Sequence, residues 1–454
     1  MVVTVTGVTE KCKSMQFYNR VSELAELERI RNLSFNDFSR MTVVTGRRRI
    51  GKTSLVMKSV ENTPTVYLFV GRKNEATLCA EFVPDIANSL DTYVPEGIHS
   101  FRSLFQYLME LAKSRSFNLV IDEFQEFYNI NPSIFSDIQN IWDSYRKSTH
   151  MNLIISGSVW TLMQKIFQNS KEPLFGRADN IIKLSVFTIA TLKEIIRDYN
   201  PEYTNDDLLA LYTFSGGIPK YIELFCDSGK LTVSGMIEFM VRENSPFTEE
   251  GKNLLIEEFG KNYATYFSIL SAISGGINTQ PKIEASLGNK SIGGQLKRLI
   301  EDYNIIVRQR PVFSKEGTQA VRYEIQDNFI RFWFNYFDRH RSLIEIKNFQ
   351  GLESIIRADY QTYSGIMLER YFKQKLAESM QFREIGSWWE PKNEQFEIDI
   401  VALTLEKNKV FAAEVKRHRK NFKPALFAAK VDHLEKKVLA KYNVETGFFS
   451  LEDM

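Results

Sequence analysis

The chain has 454 residues, enough for roughly two to four domains, and its 43% hydrophobic and 25% charged residues are ordinary for a protein with sizeable cores. A net charge of +2 is too small to imply a polyanion partner by itself, so any nucleic-acid contact has to come from local clustering. The 3 cysteines, Cys12, Cys79 and Cys226, are far apart with no CxxC pair, which excludes an ordinary zinc ribbon and suits a reducing cytoplasm. No apolar run approaches the ~20 residues that span a bilayer and the first residues lack a secretion signal, so the expectation is a soluble, cytoplasmic protein with no membrane partner.

Residues 1–14 carry weak strand character. Met15 opens MQFYNRVSELAELERI, whose Leu24, Leu27 and Ile30 recur at helical spacing, so translation starts either at Met1, with an N-terminal β-arm, or at Met15. A β-branched strand, Met41–Thr45, then breaks into Gly46-x-x-x-x-Gly51-Lys52-Thr53, followed by a helical run from Lys52 to about Val60. Two glycines let the backbone curl so that several N–H groups face one anion, and the helix adds its positive N-terminal end. This is the pattern of a phosphate-binding loop, with Lys52 reaching the β- and γ-phosphates of ATP and the Thr53 hydroxyl ligating Mg²⁺. Gly46, Gly51, Lys52, Thr53 and Ser54 are its candidate nucleotide-binding residues.

Further strands are expected at Thr65–Val70, Asn118–Ile121, Asn152–Ile155 and Ile181–Val186, separated by helical stretches. Strands that alternate with helices imply a parallel sheet covered on both faces. NLVIDEFQEF puts Asp122 and Glu123 at the carboxyl end of a buried strand, where such a sheet presents its ligands. Asp122 is the candidate to hold Mg²⁺ through water and Glu123 the candidate general base. The next strand ends in Ser156-Gly157-Ser158, and either serine is placed to sense the γ-phosphate or simply to cap the following helix. In PLFGRADN, Arg177 follows a glycine in a loop. It acts as an arginine finger, in its own site or in a neighbour's within a homo-oligomer, or else it forms a surface ion pair. Gly216-Gly217-Ile218-Pro219 breaks two helical runs as a turn feeding a helix with proline in its first turn.

From Tyr263 to Tyr323 the pattern changes to three short helices and a hairpin, the spacing of a winged helix. Gln295, Lys297 and Arg298 on the third helix, and Arg308, Arg310, Lys315 and Arg322 on the hairpin, stand where donors meet DNA phosphates. A spacer between domains has the same pattern. FIRFWFNYF, Phe329–Phe337, is apolar nearly all round and is expected to be buried. Met367–Phe372 reads as an amphipathic helix, and Phe396–Val401 and Val410–Lys416 as two strands joined by a turn at Glu406–Lys409. In that hairpin Asp399 and Glu414 lie side by side, a pair that holds Mg²⁺, and Lys416 shares a strand face with Glu414 and can activate a water. KRHRKNFK, from Lys416 to Lys423, follows at once and either tracks a phosphate backbone or is a solvated helix start. His418 and His433 have no partner at ligand spacing.

GRRRIGKT, VIDEFQE, ISGS, PLFGRA and SGGIPKY together resemble the archaeal and bacterial ATPases of the AAA+/STAND-related, MNS-type group. In that family the glycine–proline segment lies in a helical lid, so the resemblance implies that Gly217 and Pro219 border the adenine. A Gly-Ala-Arg type second sensor, usual in hexameric AAA+ proteins, is missing. Asp399 and Glu414-x-Lys416 resemble the PD-(D/E)xK nuclease fold, with Glu369 matching its helical carboxylate. The expected architecture is therefore α/β: a P-loop NTPase parallel sheet over residues 1–190, a helical lid over 191–260, a winged helix and linker helix over 261–345, and a small nuclease-like domain over 346–454. The function this implies is a Mg²⁺-dependent ATPase switch with DNA or a protein as partner. The alternatives are a binding module with an inactive nuclease-like domain, or an ATP-gated DNase used in defence.

Overall fold

The computed structural model describes residues 15–260, 263–315, 317–390 and 393–454. The N-terminal β-arm, Cys12 and the choice between Met1 and Met15 lie outside the described residues. The chain divides into two compact units, one of residues 19–186 and one of residues 187–454 with the segment that ends at Tyr18.

The first unit runs α1 (Val21–Asn36), β1 (Arg40–Thr45), α2 (Lys52–Ser59), β2 (Thr65–Phe69), α3 (Glu75–Leu90), α4 (Phe101–Leu111), β3 (Phe117–Asp122), α5 (Phe127–Ile130), α6 (Ser133–Tyr145), β4 (Met151–Gly157), α7 (Trp160–Gln168) and β5 (Asn180–Lys183). Its five strands are parallel in the order β2-β3-β4-β1-β5. Side chains alternate across each strand, and both faces are covered. Val43, Leu119, Ile121, Leu153 and Ile155 pack with Leu78, Phe82, Leu104, Ile138 and Met163 on one face. Val44, Val120 and Ile154 pack with Leu27, Leu55 and Val56 on the other. That is the βα alternation read from the sequence.

The second unit opens with α8 (Ile189–Tyr199), α9 (Asn205–Ser215), α10 (Pro219–Ser228), α11 (Val233–Val241) and α12 (Glu250–Phe259). Three helices follow, α13 (Tyr263–Ser274), α14 (Gln280–Ser286) and α15 (Gly293–Glu301), with the antiparallel hairpin β6 (Ile306–Gln309) and β7 (Arg322–Ile325). α16 (Asn328–Trp333) runs into a π-helical turn at Phe334–Asp338 and then α17 (Arg341–Glu345). Phe329, Ile330, Phe332, Trp333, Phe334, Tyr336 and Phe337 are all buried, and their rings meet those of the preceding helices, Tyr221–Phe329 at 4.4 Å and Phe214–Phe332 at 4.9 Å between centroids. The apolar run is thus core, as a helix without a polar face must be.

The chain ends in α18 (Phe349–Glu378), β8 (Phe382–Glu390), β9 (Asn393–Thr404), β10 (Lys409–Val415), α19 (Pro424–Leu434) and β11 (Asn443–Phe449). These form a four-stranded sheet in the order β11-β10-β9-β8, antiparallel except for the β10–β11 pair. Among the described residues no helix is long and apolar enough to cross a membrane.

Two glycines within helices predict opposite outcomes for one substitution. A Cβ at Gly251 would lie 2.3 Å from Trp333 Cδ2, inside the core, whereas one at Gly365 would meet nothing within 4 Å. Gly251→Ala should therefore cost about 1–3 kcal/mol by overpacking, and Gly365→Ala should stabilise by about 0.5–1 kcal/mol through helix propensity. Thermal unfolding of the two variants checks the pair of signs.

Candidate functional site

β1 delivers the chain into the loop 46–51. Gly46 has φ 150 and Gly51 φ 87, and a Cβ at Gly46 would sit 3.0 Å from the Leu184 carbonyl oxygen, so both positions call for glycine. Gly51 starts α2, whose first residue, Lys52, is buried and donates from Nζ to the carbonyls of Gly46 at 3.1 Å and Arg47 at 3.0 Å. Its ammonium thus stands over the loop. Ser54 lies exposed in the same first turn. The loop has a brace that the sequence reading passed over. Arg20, just before α1, is buried and donates to the carbonyls of Ser185 at 2.7 Å and Ile50 at 3.4 Å, with Glu23 at 3.2 Å beside it.

Asp122 ends β3, one strand removed from β1, and Thr53 closes the gap: its hydroxyl donates to Asp122 Oδ2 at 2.8 Å. The same oxygen accepts the Tyr67 hydroxyl at 2.8 Å, and Oδ1 accepts the backbone N–H of Glu123 at 2.9 Å. Burial, then the neighbouring Asp122, push the Tyr67 phenol far above its ordinary pKa, so it remains a donor. Glu123 has φ 54, left-handed for a non-glycine residue, which turns its side chain out of the strand direction at a cost of roughly 1 kcal/mol. Its Oε2 accepts from Ser158 Oγ at 2.6 Å and from Gln125 Nε2. Of the two serines left open by the sequence, Ser158 is therefore the one in contact with Glu123. Ser156 is buried, opposite Val44, and its Oγ has no partner among the described residues.

The Thr53 hydroxyl is a hard oxygen donor of the kind Mg²⁺ takes from a protein, and the Asp122 carboxylate beside it can accept from the waters that, with phosphates, complete its shell. The residues present fit such a cation. Arg177 donates to Asp143 Oδ2 at 3.1 Å and to the Phe175 carbonyl at 2.9 Å, so in this state it is the surface ion pair. Gly217 and Pro219 belong to the second unit. There Gly217, at φ 73, receives the Phe187 N–H on its carbonyl at 2.8 Å, and Pro219 opens α10 in its first turn.

A second constellation lies on the C-terminal sheet. Ile400 pairs with Ala413, so Asp399 and Glu414 are next in register. Lys416 Nζ bridges them, 3.1 Å from Asp399 Oδ2 and 2.9 Å from Glu414 Oε1. Burial works against the Lys416 ammonium, but the two carboxylates outweigh it and raise its pKa. Lys430 of α19, which the sequence reading missed, holds both oxygens of Glu414 at 3.0 and 3.1 Å. Glu369 of α18 is pushed up to about 8, first by burial and then by Asp399, against the pull of Lys373 and Lys416. Among the described residues no three Asp, Glu, His or Cys side chains stand close enough to hold a metal ion unaided. His433 stacks on Phe396 at 3.9 Å and meets Glu390 at 3.0 Å.

Of the basic residues on the three helices and hairpin, Lys297, Arg298, Arg308 and Lys315 are exposed. Arg322 is committed elsewhere. It pairs with Glu397 at 2.7 and 3.2 Å over the Trp389 ring, and the hairpin segment beside it is anchored by Val312, which donates to the Ser387 carbonyl at 3.0 Å and packs in the core of the C-terminal sheet. Arg322 thus leaves the set of groups that could meet a phosphate.

A family model described as an ATPase domain predominantly from Archaea matches residues 17–225, and one described as archaeal and bacterial proteins of unknown function matches residues 333–426. An uncharacterized protein of Methanocaldococcus jannaschii is 31% identical over 411 residues, which is 88% of this chain and 87% of that one. Among solved structures, the Walker-type ATPase of Pyrococcus abyssi matches with a TM-score of 0.51 at 20% identity, over 72% of this chain and 99% of that one. At that identity the likeness speaks for the fold.

The geometry predicts that Lys52→Ala abolishes nucleotide binding, while Glu123→Gln retains binding and slows hydrolysis at least ~100-fold, the scale of a lost general base. Binding and turnover measured on the same preparations check both. Glu369 generates a pH prediction. The native state keeps its proton until about 8 and the unfolded chain releases it in the ordinary carboxylate range, so between those values the native state binds more protons and loses stability as pH rises. The melting temperature of Glu369→Gln should gain on wild type progressively from about pH 5 to about pH 8 and run parallel to it at lower pH.

Proposed function

The chain belongs to the ATPase family found predominantly in Archaea, and on that premise we propose that it is a Mg²⁺-dependent ATPase switch whose partner is DNA. The observation that carries the nucleotide half is the continuous hydrogen-bonded path from Thr53 through Asp122 to Glu123 and Ser158. Lys52, over the loop, compensates charge on the β- and γ-phosphates. Glu123, turned out of the strand, takes the proton of the attacking water, and Ser158 fixes the carboxylate that does so. Thr53 and Asp122 would hold Mg²⁺, which when bound neutralises developing phosphate charge. Arg177 supplies further compensation only after leaving Asp143, which makes it a candidate for a finger acting across a homo-oligomer boundary. Gly217 and Pro219 remain candidates to border the adenine by resemblance. The protein is read as cytoplasmic, in keeping with buried, reduced Cys79 and Cys226, whose thiols burial pushes up to about 12.

For the DNA half, the three helices α13–α15 with the hairpin β6–β7 are read as a winged helix, and exposed Lys297, Arg298, Arg308 and Lys315 are its phosphate contacts. The element order α18-β8-β9-β10-α19-β11, with Asp399 on β9, Glu414 on β10 and Lys416 directly after it, supports the nuclease-like reading of the C-terminal domain. One observation favours a domain that binds without cutting: Lys416 and Lys430 already neutralise Asp399 and Glu414, so a divalent cation has to displace an ammonium to reach either.

Purified protein given radiolabelled ATP and plasmid DNA, with and without Mg²⁺ or Mn²⁺, tests the whole reading. ATP hydrolysis should require the metal, and DNA binding should fall steeply with salt, by about 0.9 in log K per log salt for each phosphate contact. Any nicking should need the metal and vanish in both Asp399→Ala and Lys416→Ala, with ATP hydrolysis in the absence of DNA unchanged. Metal-dependent ATP hydrolysis without DNA binding at moderate salt makes a protein the partner.

A further inference from the structure

Asp122 is the most heavily bonded carboxylate of the nucleotide site, and one of its donors comes from a strand that carries no motif. Tyr67 stands at the middle of β2 opposite Val120, while Asp122 lies two residues further along β3, opposite Phe69. The offset is about 6.6 Å along the strands, a distance that a tyrosine side chain covers. Its ring packs against the core of Leu27, Leu55, Val56 and Val120, on the face of the sheet that carries α2, so the hydroxyl is aimed and not merely tethered.

An ionised carboxylate has about four lone-pair positions. Three are occupied: the Thr53 and Tyr67 hydroxyls share Oδ2 at 2.8 Å each, and the Glu123 N–H takes one position on Oδ1 at 2.9 Å. Thr53 alone leaves Oδ2 half-satisfied. With Tyr67 in place, Oδ2 is saturated by neutral donors and the carboxylate plane is fixed between β2, β3 and α2. The lone pair that remains belongs to Oδ1, the oxygen held at the start of the Glu123 turn.

We propose that Tyr67 is a positioning residue of the ATPase site: by saturating Oδ2 of Asp122 it directs the remaining lone pair of Oδ1 to the waters of the nucleotide-bound divalent cation. This rests on the Mg²⁺-dependent ATPase reading. Without the Tyr67 hydroxyl, Oδ2 has a vacant position, the carboxylate turns, and the orientation of the cation's waters is lost. Tyr67 touches neither nucleotide nor water in this account and acts only through Asp122.

The test uses full-length Tyr67→Phe and, as a second variant that also keeps an apolar side chain in that core, Tyr67→Met. Two quantities are read: the Mg²⁺ concentration that half-saturates ATP hydrolysis, and the affinity for a fluorescent ATP analogue with and without Mg²⁺. Loss of one hydrogen bond to a charged group should raise the half-saturating Mg²⁺ about tenfold in both variants, and should weaken analogue binding in Mg²⁺ while leaving binding in chelator unchanged. A merely structural tyrosine would lower thermal stability and binding in chelator as well. Half-saturating Mg²⁺ equal to wild type in either folded variant overturns the assignment and leaves the ATPase reading standing. Wild-type protein whose binding and hydrolysis ignore Mg²⁺ overturns both.

Discussion

A carboxylate at the end of a fully buried strand must find donors or lose its charge, and Asp122 is where that constraint organises the first unit. β3 is buried along its whole length, so Asp122 emerges among side chains and not into water. The three donors it finds come from α2, from the adjacent strand β2 and from the next peptide of its own chain. The carboxylate is therefore the point at which phosphate loop, sheet edge and the Glu123 turn are held together. The left-handed backbone of Glu123 is tolerated because that arrangement surrounds it on both sides.

What was legible in the sequence was whatever one segment settles by itself. Thr42–Leu55 spells strand, loop and helix in consecutive residues, and the Asp122–Glu123 pair ends an unmistakable apolar run. Tyr67 and Arg20 were not legible, and Ser156 and Ser158 could not be told apart, because the deciding contacts are distant in the chain: Tyr67 to Asp122, Arg20 to Ser185, Ser158 to Glu123. No period or spacing marks such a residue. β8 and β11 were missed for a different reason. They are the two edges of the C-terminal sheet, their side chains are largely half-buried or exposed, and β8 slips register three times against β9, so neither shows the alternation that identified β9 and β10.

The C-terminal constellation illustrates how much a hairpin register delivers and where it stops. A turn visible in the sequence brings Asp399 beside Glu414, and period two brings Lys416 to the same face. Lys430 comes from α19, the crossover helix between β10 and β11, and its effect is to turn a pair of carboxylates into a nearly neutral cluster. Glu369, facing that cluster from α18, keeps its proton because burial, and then Asp399, outweigh the pull of Lys373 and Lys416.

The hairpin β6–β7 has a further consequence. Val312 is embedded among Trp388, Ile398 and Val401, Phe313 rests on Tyr442 with rings 5.3 Å apart, and Arg322 pairs with Glu397, so both arms are riveted to the C-terminal sheet. Two fixed points on a short hairpin remove its freedom to swivel. The hairpin and the strand that carries Asp399 thereby form one packed body, joined at Val312, Phe313 and Arg322.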